Sequence, residues 1–241
     1  MKLGYLTTDF IDWIQPQKVL GKGVLPIDFV SIDSRTLFGA KNGCFIALKG
    51  NFRSGEHFVE AAYQQNIRVF LLTQAPSIVH EDAVYLLVED PVHSLQLIAS
   101  KHRSSITYPI VAIAGKNGKT TVKEWLYEII KSVFHVVRSP KSYNSQVGVP
   151  LSIFGIQSYH QVALLEAGVS KTGDMDTLAQ MIQPGLGIFT NIGSAHEEGF
   201  PGMKEKIAEK LQLFAGVNFL LYCKDHELLA GEIEQQVPAE N

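Results

Sequence analysis

The first hundred residues consist of short apolar blocks separated by polar turns. Four of these blocks have the length and composition of β-strands, and two other segments have a helical spacing of apolar residues. The predicted strands cover residues 27–32, 44–48, 69–72 and 84–88, and the predicted helices cover 58–65 and 91–100. A polar stretch at 101–105 follows. We therefore expect a small α/β domain over residues 1–105.

From residue 106 to residue 241, strand and helix patterns follow one another in turn. The predicted strands are 109–114, 134–138, 161–166, 186–191 and 217–223, and the predicted helices are 119–133, about 148–156, 174–182 and 203–214. This alternation predicts an α/β fold with a mostly parallel sheet flanked by helices. Ligands of such sheets bind at the carboxyl ends of the strands, so the loops after the strands are the expected place for a site.

The helix predicted over 119–133 carries an apolar stripe with the spacing i, i+3, i+4, i+7, i+8 and i+11. The stripe consists of Val122, Trp125, Leu126, Ile129, Ile130 and Val133. We expect these side chains to be used in packing.

The composition is that of an ordinary globular chain: 46% of the 241 residues are hydrophobic, 19% are charged and the formal net charge is −3. The 21 Lys and Arg residues form no run, so a nucleic-acid partner is not indicated. The apolar runs are much shorter than a membrane span, and the first residues lack the apolar core of an export signal. We expect a cytoplasmic protein and a monomer. Cys44 and Cys223 lack the spacing of a metal site and are expected to be buried thiols.

The segment between the strand 109–114 and the next helix carries the clearest chemical signal. It reads Ala114-Gly115-Lys116-Asn117-Gly118-Lys119-Thr120-Thr121. Glycine lets backbone N–H groups approach phosphate oxygens, and the start of a helix attracts anions. Lys119 and Thr120 can serve phosphate and Mg²⁺ as in G-x-x-x-x-G-K-[ST] loops, although Ile113 occupies the place of the first glycine. We predict that residues 115–121 bind a nucleoside triphosphate.

Two further strand ends carry side chains that suit this chemistry. Glu166 ends the predicted strand 161–166, at the edge where a phosphate-loop protein holds its metal ion. His196 lies in a glycine-bearing loop after the strand 186–191. Glu166 is either a Mg²⁺ ligand or a solvated strand-end acid, and His196 is either a site residue or an ordinary loop histidine.

A helix and two turns contain weaker candidates. The spacing in the helix 203–214 places Lys210 on a charged face opposite an apolar one, which predicts a solvated lysine. The other charged residues of that face are Lys204, Lys206 and Glu209. The turns Asp33-Ser34-Arg35 and Ala47-Leu48-Lys49-Gly50, the second followed by His57, end two strands of the first domain. Their cationic side chains can pair with phosphate, but each turn alone is also an ordinary surface turn.

Together these motifs resemble the ATP-dependent Mur ligases of peptidoglycan synthesis. The resemblance rests on A-G-K-N-G-K-T-T at 114–121, N-S-Q-V-G-V-P at 144–150, E-A-G at 166–168, N-I-G-S-A-H at 191–196 and E-G-F at 198–200, with the D-S-R and A-L-K-G turns upstream. It implies a UDP-substrate-binding domain at 1–105 and an incomplete ATP-binding central domain at 106–241. It also implies that a C-terminal ligase domain is missing from this chain.

The resemblance assigns ATP and Mg²⁺ as cofactors and gives residues of the central domain their roles. Lys119 would hold the β- and γ-phosphates of ATP. Thr120 and Glu166 would hold one Mg²⁺, and His196 would help with a second. Lys210 would be the lysine that reacts with CO₂ to become a carbamate, which requires a neutral amine.

The resemblance also implies the substrates, UDP-N-acetylmuramoyl-tripeptide and D-alanyl-D-alanine, which would be joined through an acyl phosphate. Asn144 would face the muramoyl-peptide. The uridine-diphosphate cleft would be lined by Ser34, Arg35, Lys49 and His57.

Two alternatives stay open. One is a folylpolyglutamate-type ligase, which shares the phosphate loop and the metal-binding glutamate but lacks a UDP-binding front domain, so residues 27–90 argue against it. The other is a noncatalytic nucleotide-binding module. Without a third ligase domain, the chain by itself is expected to bind nucleotides and to ligate poorly or not at all.

Overall fold

The computed structural model of the protein describes residues 2–37, 41–50, 54–169, 171–193 and 200–236. The chain divides into two compact units, Met1–Lys101 and His102–Asn241. The change from the first unit to the second falls near the end of a helix.

The first unit is an α/β unit with a five-stranded sheet. Its elements are β1 (Tyr5–Leu6), α1 (Thr7–Ile14), β2 (Lys18–Leu20), β3 (Pro26–Ile27), β4 (Phe29–Ser31), β5 (Gly43–Ile46), α2 (Val59–Gln64), β6 (Val69–Leu72), β7 (Val84–Leu87) and α3 (Pro91–Ser104), whose last turn lies past the unit boundary. The strands β4, β5, β6 and β7 are parallel neighbours in this order, and β2 pairs antiparallel with β7. The strands β1 and β3 form a separate antiparallel pair.

The central strands of this sheet are covered on both faces, as is usual for parallel sheets. Every residue of β5, β6 and β7 is buried. Phe70 and Tyr85, on neighbouring strands, stack with their ring centroids 5.1 Å apart. This burial on both sides explains why these strands are continuous apolar runs rather than alternating patterns.

The second unit alternates strands and helices along its whole length. Its elements are β8 (Ile110–Ala114), α4 (Lys119–Ile130), β9 (Val136–Arg138), α5 (Gly148–Ile153), β10 (Val162–Glu166), α6 (Asp174–Ile182), β11 (Leu186–Phe189), α7 (Met203–Leu211), β12 (Phe219–Tyr222) and α8 (Glu227–Gln236). The five strands form one parallel sheet in the order β12-β11-β8-β10-β9. The predicted parallel sheet flanked by helices is confirmed.

The strand order brings three strand ends together. The central strand β8 has β10 on one side and β11 on the other. In this register Glu166 pairs with Ile113, and Phe189 pairs with Ala114. The loops that follow β8, β10 and β11 therefore start side by side at the carboxyl edge of the sheet, where ligands of such sheets bind.

Helix α4 packs only part of its apolar stripe against the sheet. The packed side chains are Val122, Leu126 and Ile130, together with Tyr127, and they lie on Val111, Ile113 and Leu164. In contrast, Trp125, Ile129 and Val133 are 69%, 71% and 72% exposed, so the packing prediction was wrong for them. Each residue turns the helix by about 100°, so residues 125 and 129 lie to one side of the row that faces the sheet.

The two cysteines differ in burial. Cys44 is buried in β5, where burial raises the pKa of its thiol. Cys223 is exposed after β12, so the prediction of a second buried thiol was wrong. Among the described residues, no helix has the length and apolar character that crossing a membrane requires.

Candidate functional site

The loop between β8 and α4 has the backbone of an anion-binding turn. Gly115 and Gly118 have φ angles of 137° and 81°, which residues with a side chain rarely adopt. Gly118 is the N-cap of α4, so the helix starts without a side-chain cap. Because the first N–H groups of a helix have no partner inside it, the start of α4 can receive an anion.

Gly115 leaves no room for a side chain. A Cβ atom at this position would lie 2.2 Å from Thr190 Oγ1 and 2.9 Å from Asn191 O. Any other residue would therefore push the loop away from the segment that follows β11.

That segment, Thr190 and Asn191, fixes the shape of the loop. Asn191 O accepts a hydrogen bond from Lys116 N, and Asn191 Oδ1 accepts one from Asn117 N, both at 2.9 Å. Thr190 Oγ1 donates to Asn117 O at 2.7 Å. Sequence reasoning overlooks Thr190 and uses Asn191 only as part of a motif. Their place after a strand at the carboxyl edge is the signal that could have identified them.

The side chain of Lys119 turns back onto the loop. Its Nζ donates to Gly115 O and to Lys116 O, both at 2.9 Å. The structure thus brings a positive charge to the turn that the sequence predicts to hold phosphate. Of the other predicted nucleotide-binding residues, Lys116 is half-buried, and Asn117 and Thr121 are exposed.

Thr120 and Glu166 meet beside the same loop. Thr120 Oγ1 donates to Glu166 Oε2 at 3.1 Å, and Glu166 is 0% exposed, which excludes a solvated strand-end acid. A hydroxyl and a carboxylate oxygen fit Mg²⁺, which is usually bound by one or two carboxylates and completed by phosphate oxygens and water. Among the described residues, no group of three or more His, Cys, Asp or Glu could hold a metal ion. The pair offers two oxygen ligands, so a cation held here would need further oxygen ligands.

A buried lysine contacts the same glutamate. Lys123, one turn after Thr120 on α4, is 0% exposed, and its Nζ lies 2.8 Å from Glu166 Oε1. Nζ also donates to Ser139 O at 2.7 Å and to Lys141 O at 2.6 Å. Sequence reasoning overlooks Lys123, because a lysine in an amphipathic helix is expected to face solvent. Its spacing of three residues from Thr120 is the only hint in the sequence.

Asn144 lies in the loop between β9 and α5, next to the end of β10. Asn144 O accepts a hydrogen bond from Gly168 N at 2.8 Å. The side chain lies against the same glycine, where a Cβ atom would be 3.3 Å from Asn144 Cγ. Ser139 Oγ, earlier in the loop, accepts from Glu166 N at 3.1 Å. The loop that carries Asn144 is thus tied to the strand end that carries Glu166.

Helix α7 buries most of the face that was predicted to be solvated. Lys206, Glu209 and Lys210 are 1%, 2% and 4% exposed. Glu209 Oε1 accepts from Gly173 N at 3.0 Å and from Met175 N at 2.8 Å, at the start of α6. A carboxylate in this place is favourable because the start of a helix is positive. The prediction of a solvated Lys210 was wrong, because α7 packs with its charged side as well as its apolar side.

His196 lies outside the described residues, so its predicted role stays a prediction. The last described part of that loop is close to the phosphate loop. A Cβ atom at Gly193 would lie 1.9 Å from Lys116 Cδ, so the lysine side chain lies directly against this glycine.

In the first unit, Ser34 and Arg35 follow the carboxyl end of β4. Arg35 binds the Asp33 carboxylate through two contacts, Nε to Oδ1 at 2.9 Å and Nη2 to Oδ2 at 2.8 Å. These hydrogen bonds hold the pKa of Asp33 below its usual range, and Asp33 in turn raises the pKa of Arg35. Ser34 is buried, whereas the side chain of Arg35 is 86% exposed.

Lys49 and His57 follow β5, the parallel neighbour of β4. Lys49 forms an antiparallel bridge with Ser54, and both Lys49 and His57 are exposed. His57 lines a pocket of about 300 Å³, together with Glu60, Leu72 and Ile78 among others. Because β4 and β5 are parallel, the four predicted uridine-diphosphate residues follow the same edge of one sheet.

A parallel sheet with a glycine-rich loop at its carboxyl edge, beside a threonine and a buried glutamate, defines the phosphate-loop class of α/β proteins. A family model described as the Mur ligase middle domain matches residues 113–238, which is more than half of the chain. The chain belongs to the Mur ligase family, and the resemblance seen in the sequence is confirmed.

Two curated relatives are both named UDP-N-acetylmuramoyl-tripeptide–D-alanyl-D-alanine ligase. The protein of Bacillus subtilis is 30% identical over 204 residues, which cover 83% of this chain and 44% of the relative. The protein of Treponema pallidum is 34% identical over 204 residues, which cover 80% of this chain and 44% of the relative. The chain thus spans less than half the length of the curated relatives it matches.

Solved structures show the same fold. MurF from Acinetobacter baumannii superposes with a TM-score of 0.84 at 22% identity, covering 97% of this chain and 51% of that protein. MurF from Thermotoga maritima, solved in complex with ADP, superposes with a TM-score of 0.75 at 24% identity, covering 86% of this chain and 48% of that protein.

Proposed function

We propose that the chain is the UDP-substrate-binding and ATP-binding part of an ATP-dependent ligase. The ligase adds D-alanyl-D-alanine to UDP-N-acetylmuramoyl-tripeptide through an acyl phosphate. The observation that carries this proposal is the contact between Thr120 and the buried Glu166 beside the glycine-rich loop. The names of the two curated relatives support the substrates. The match covers 44% of each relative, and it is to this matched part that we assign substrate binding.

Residues 115–121 bind the triphosphate in this proposal. The backbone N–H groups at the uncapped start of α4 face the phosphates. Lys119 exchanges its contacts with Gly115 O and Lys116 O for contacts with phosphate oxygens. Phosphoryl transfer depends mainly on positioning and on neutralising charge, and these groups supply both.

Thr120 and Glu166 hold one Mg²⁺ in this proposal. The ion supplies positive charge to the phosphates when it is bound. The protein supplies a hydroxyl and a carboxylate that already lie 3.1 Å apart. For His196 we retain the role that the resemblance implies, near a second ion.

Lys210 is proposed as the lysine that becomes a carbamate. Its support is its burial on α7, where Lys206 and Glu209 of the same face are also buried.

Residues of each unit are proposed to bind UDP-N-acetylmuramoyl-tripeptide, the substrate that forms the acyl phosphate. In the first unit, Ser34, Arg35, Lys49 and His57 bind the uridine diphosphate, supported by their place after two parallel strands. In the second unit, Asn144 faces the muramoyl-peptide, supported by its contact with Gly168 near the metal-binding glutamate.

Calorimetry with Mg²⁺ tests the two binding functions separately. Lys119→Ala should abolish ATP binding but leave the affinity for UDP-N-acetylmuramoyl-tripeptide intact, because its contacts lie in the phosphate loop. Arg35→Ala should do the reverse. Lys131→Ala, on an exposed part of the chain after α4, is the control for both. The proposal fails if the unaltered chain binds neither nucleotide.

A further inference from the structure

The contact between Lys123 and Glu166 is a buried ion pair. Both side chains are 0% exposed, and Nζ of Lys123 lies 2.8 Å from Oε1 of Glu166. Among the described residues, Oε1 has no hydrogen bond of good geometry, so this contact acts through charge. A second carboxylate, that of Glu124, lies farther from the ammonium, at 3.4 Å. Removing water from two charges costs free energy, so a buried pair is weak evidence for a role in stability alone.

The two oxygens of the Glu166 carboxylate have different partners. Oε1 faces Lys123, and Oε2 accepts from the hydroxyl of Thr120 at 3.1 Å. Thr120 and Lys123 are three residues apart on α4 and therefore lie on the same side of the helix. The helix that carries the phosphate loop thus contacts both ends of the carboxylate and sets its rotation.

Lys123 also holds the loop after β9. Its ammonium donates hydrogen bonds to the carbonyl oxygens of Ser139 and Lys141. Lys141 has a φ angle of 50°, a left-handed conformation that is uncommon for residues other than glycine. Two contacts to this loop, besides the one to Glu166, help to keep it in that conformation.

We propose that Lys123 is a positioning residue for the divalent-cation site. It holds Oε1 of Glu166, so that Oε2 stays beside the hydroxyl of Thr120 and these two oxygens would be available to a cation. This inference rests on the proposed function, because it takes Thr120 and Glu166 as the cation ligands. Residues that orient a metal ligand commonly change metal affinity by about 10- to 100-fold when they are replaced.

The test measures cation binding apart from catalysis. Mn²⁺ is the probe, its binding is detected by electron paramagnetic resonance, and ADP is the nucleotide. Lys123→Met removes the charge and keeps most of the volume. We expect the affinity for Mn²⁺ in the presence of ADP to fall by about 10-fold or more. ADP binding in the presence of a chelator should stay within about twofold, because the described contacts of Lys123 are with Glu124, Ser139, Lys141 and Glu166. Lys131→Met, at an exposed site after α4, is the matched control.

A double variant keeps the test valid if Lys123→Met does not fold. In Lys123→Met/Glu166→Gln neither partner is left as a buried, unpaired charge. If Lys123 acts through Glu166, this double variant and Glu166→Gln alone should bind Mn²⁺ with ADP equally well. A further loss in the double variant of more than about fivefold would overturn the proposal, since Lys123 would then act on something other than this carboxylate.

The remaining outcomes separate this inference from the proposed function. Unchanged Mn²⁺ affinity in a folded Lys123→Met variant overturns the positioning role and leaves the ligase assignment intact. A lower melting temperature with unchanged Mn²⁺ affinity does the same, because it assigns Lys123 a structural role only. If the unaltered chain binds neither ADP nor Mn²⁺ with ADP, the proposed function itself fails.

Discussion

In the second unit the charged groups behind the phosphate loop are buried, whereas in the first unit the charged groups at the corresponding sheet edge face solvent. Lys123 and Glu166 are both 0% exposed. Arg35 is paired with Asp33 but its side chain is 86% exposed. Glu166 ends the parallel strand β10 and Arg35 follows the parallel strand β4, so the carboxyl edges of two α/β sheets have been used in two different ways.

The two groups differ in how strongly their side chains are held in place. A buried charge is stable only when its partners are in place, so each partner of Glu166 also restricts where its oxygens lie. An exposed pair contributes little to stability, and its side chains can turn toward a ligand. The buried group therefore keeps one fixed arrangement, whereas the exposed side chains can adopt other conformations.

The sharpest test of this comparison is removal of Glu166. Glu166→Ala leaves the ammonium of Lys123 buried without its carboxylate, and we expect the free energy of unfolding to fall by about 3–5 kcal/mol. Arg35→Ala, in the exposed group, should leave the urea midpoint unchanged. Urea denaturation of both variants measures the contrast. Equal midpoints for the two variants would remove the distinction between the groups.

A second test concerns the loop itself. Gly115→Ala adds a Cβ that would lie 2.2 Å from Thr190 Oγ1 at a φ angle of 137°. We expect a loss of roughly 1–3 kcal/mol in stability, together with weaker ATP binding. The matched control is Gly185→Ala in the same unit, where a Cβ would meet no atom within 4 Å. If both variants melt at the same temperature, the close contact with Thr190 is not as the structure has it.

The smallest expected effect concerns pH. Burial lowers the pKa of His102 below its usual 6.5, although the contact of its Nε2 with Ile156 O at 3.0 Å opposes this. The unfolded chain therefore binds a proton at His102 more readily than the folded chain does. The contribution of this histidine to the free energy of unfolding is fully present above about pH 6.5 and is lost as the pH drops toward the folded pKa. The melting temperature should decrease between pH 8 and pH 5.5, and this decrease should be smaller for His102→Gln than for the unaltered chain. A drop of the same size in both would assign the effect to other groups.

The sequence predicts the sheet of the second unit well, because its strands are continuous apolar runs and its loops carry glycine and charge. The sequence does not predict burial where burial depends on tertiary packing. Trp125 and Leu126 are adjacent apolar residues in one helix, yet one faces solvent and the other packs on the sheet. Lysine side chains usually face solvent. Lys123 and Lys210 are nevertheless buried, because distant parts of the chain pack against them. The helix α1 carries no pattern long enough to predict it.

The contacts of Asn191 with Lys116 and Asn117 have a consequence for the energetics of ligand capture. The turn acquires its shape during folding, since a side chain and a carbonyl from another strand end already occupy two of its N–H groups. Much of the conformational entropy of the turn is therefore lost before any ligand arrives, and little remains to be lost on association. Replacing Asn191 would leave the turn less ordered. Under the proposed function, its affinity for a phosphate chain would then decrease even though no group that contacts the phosphates had changed.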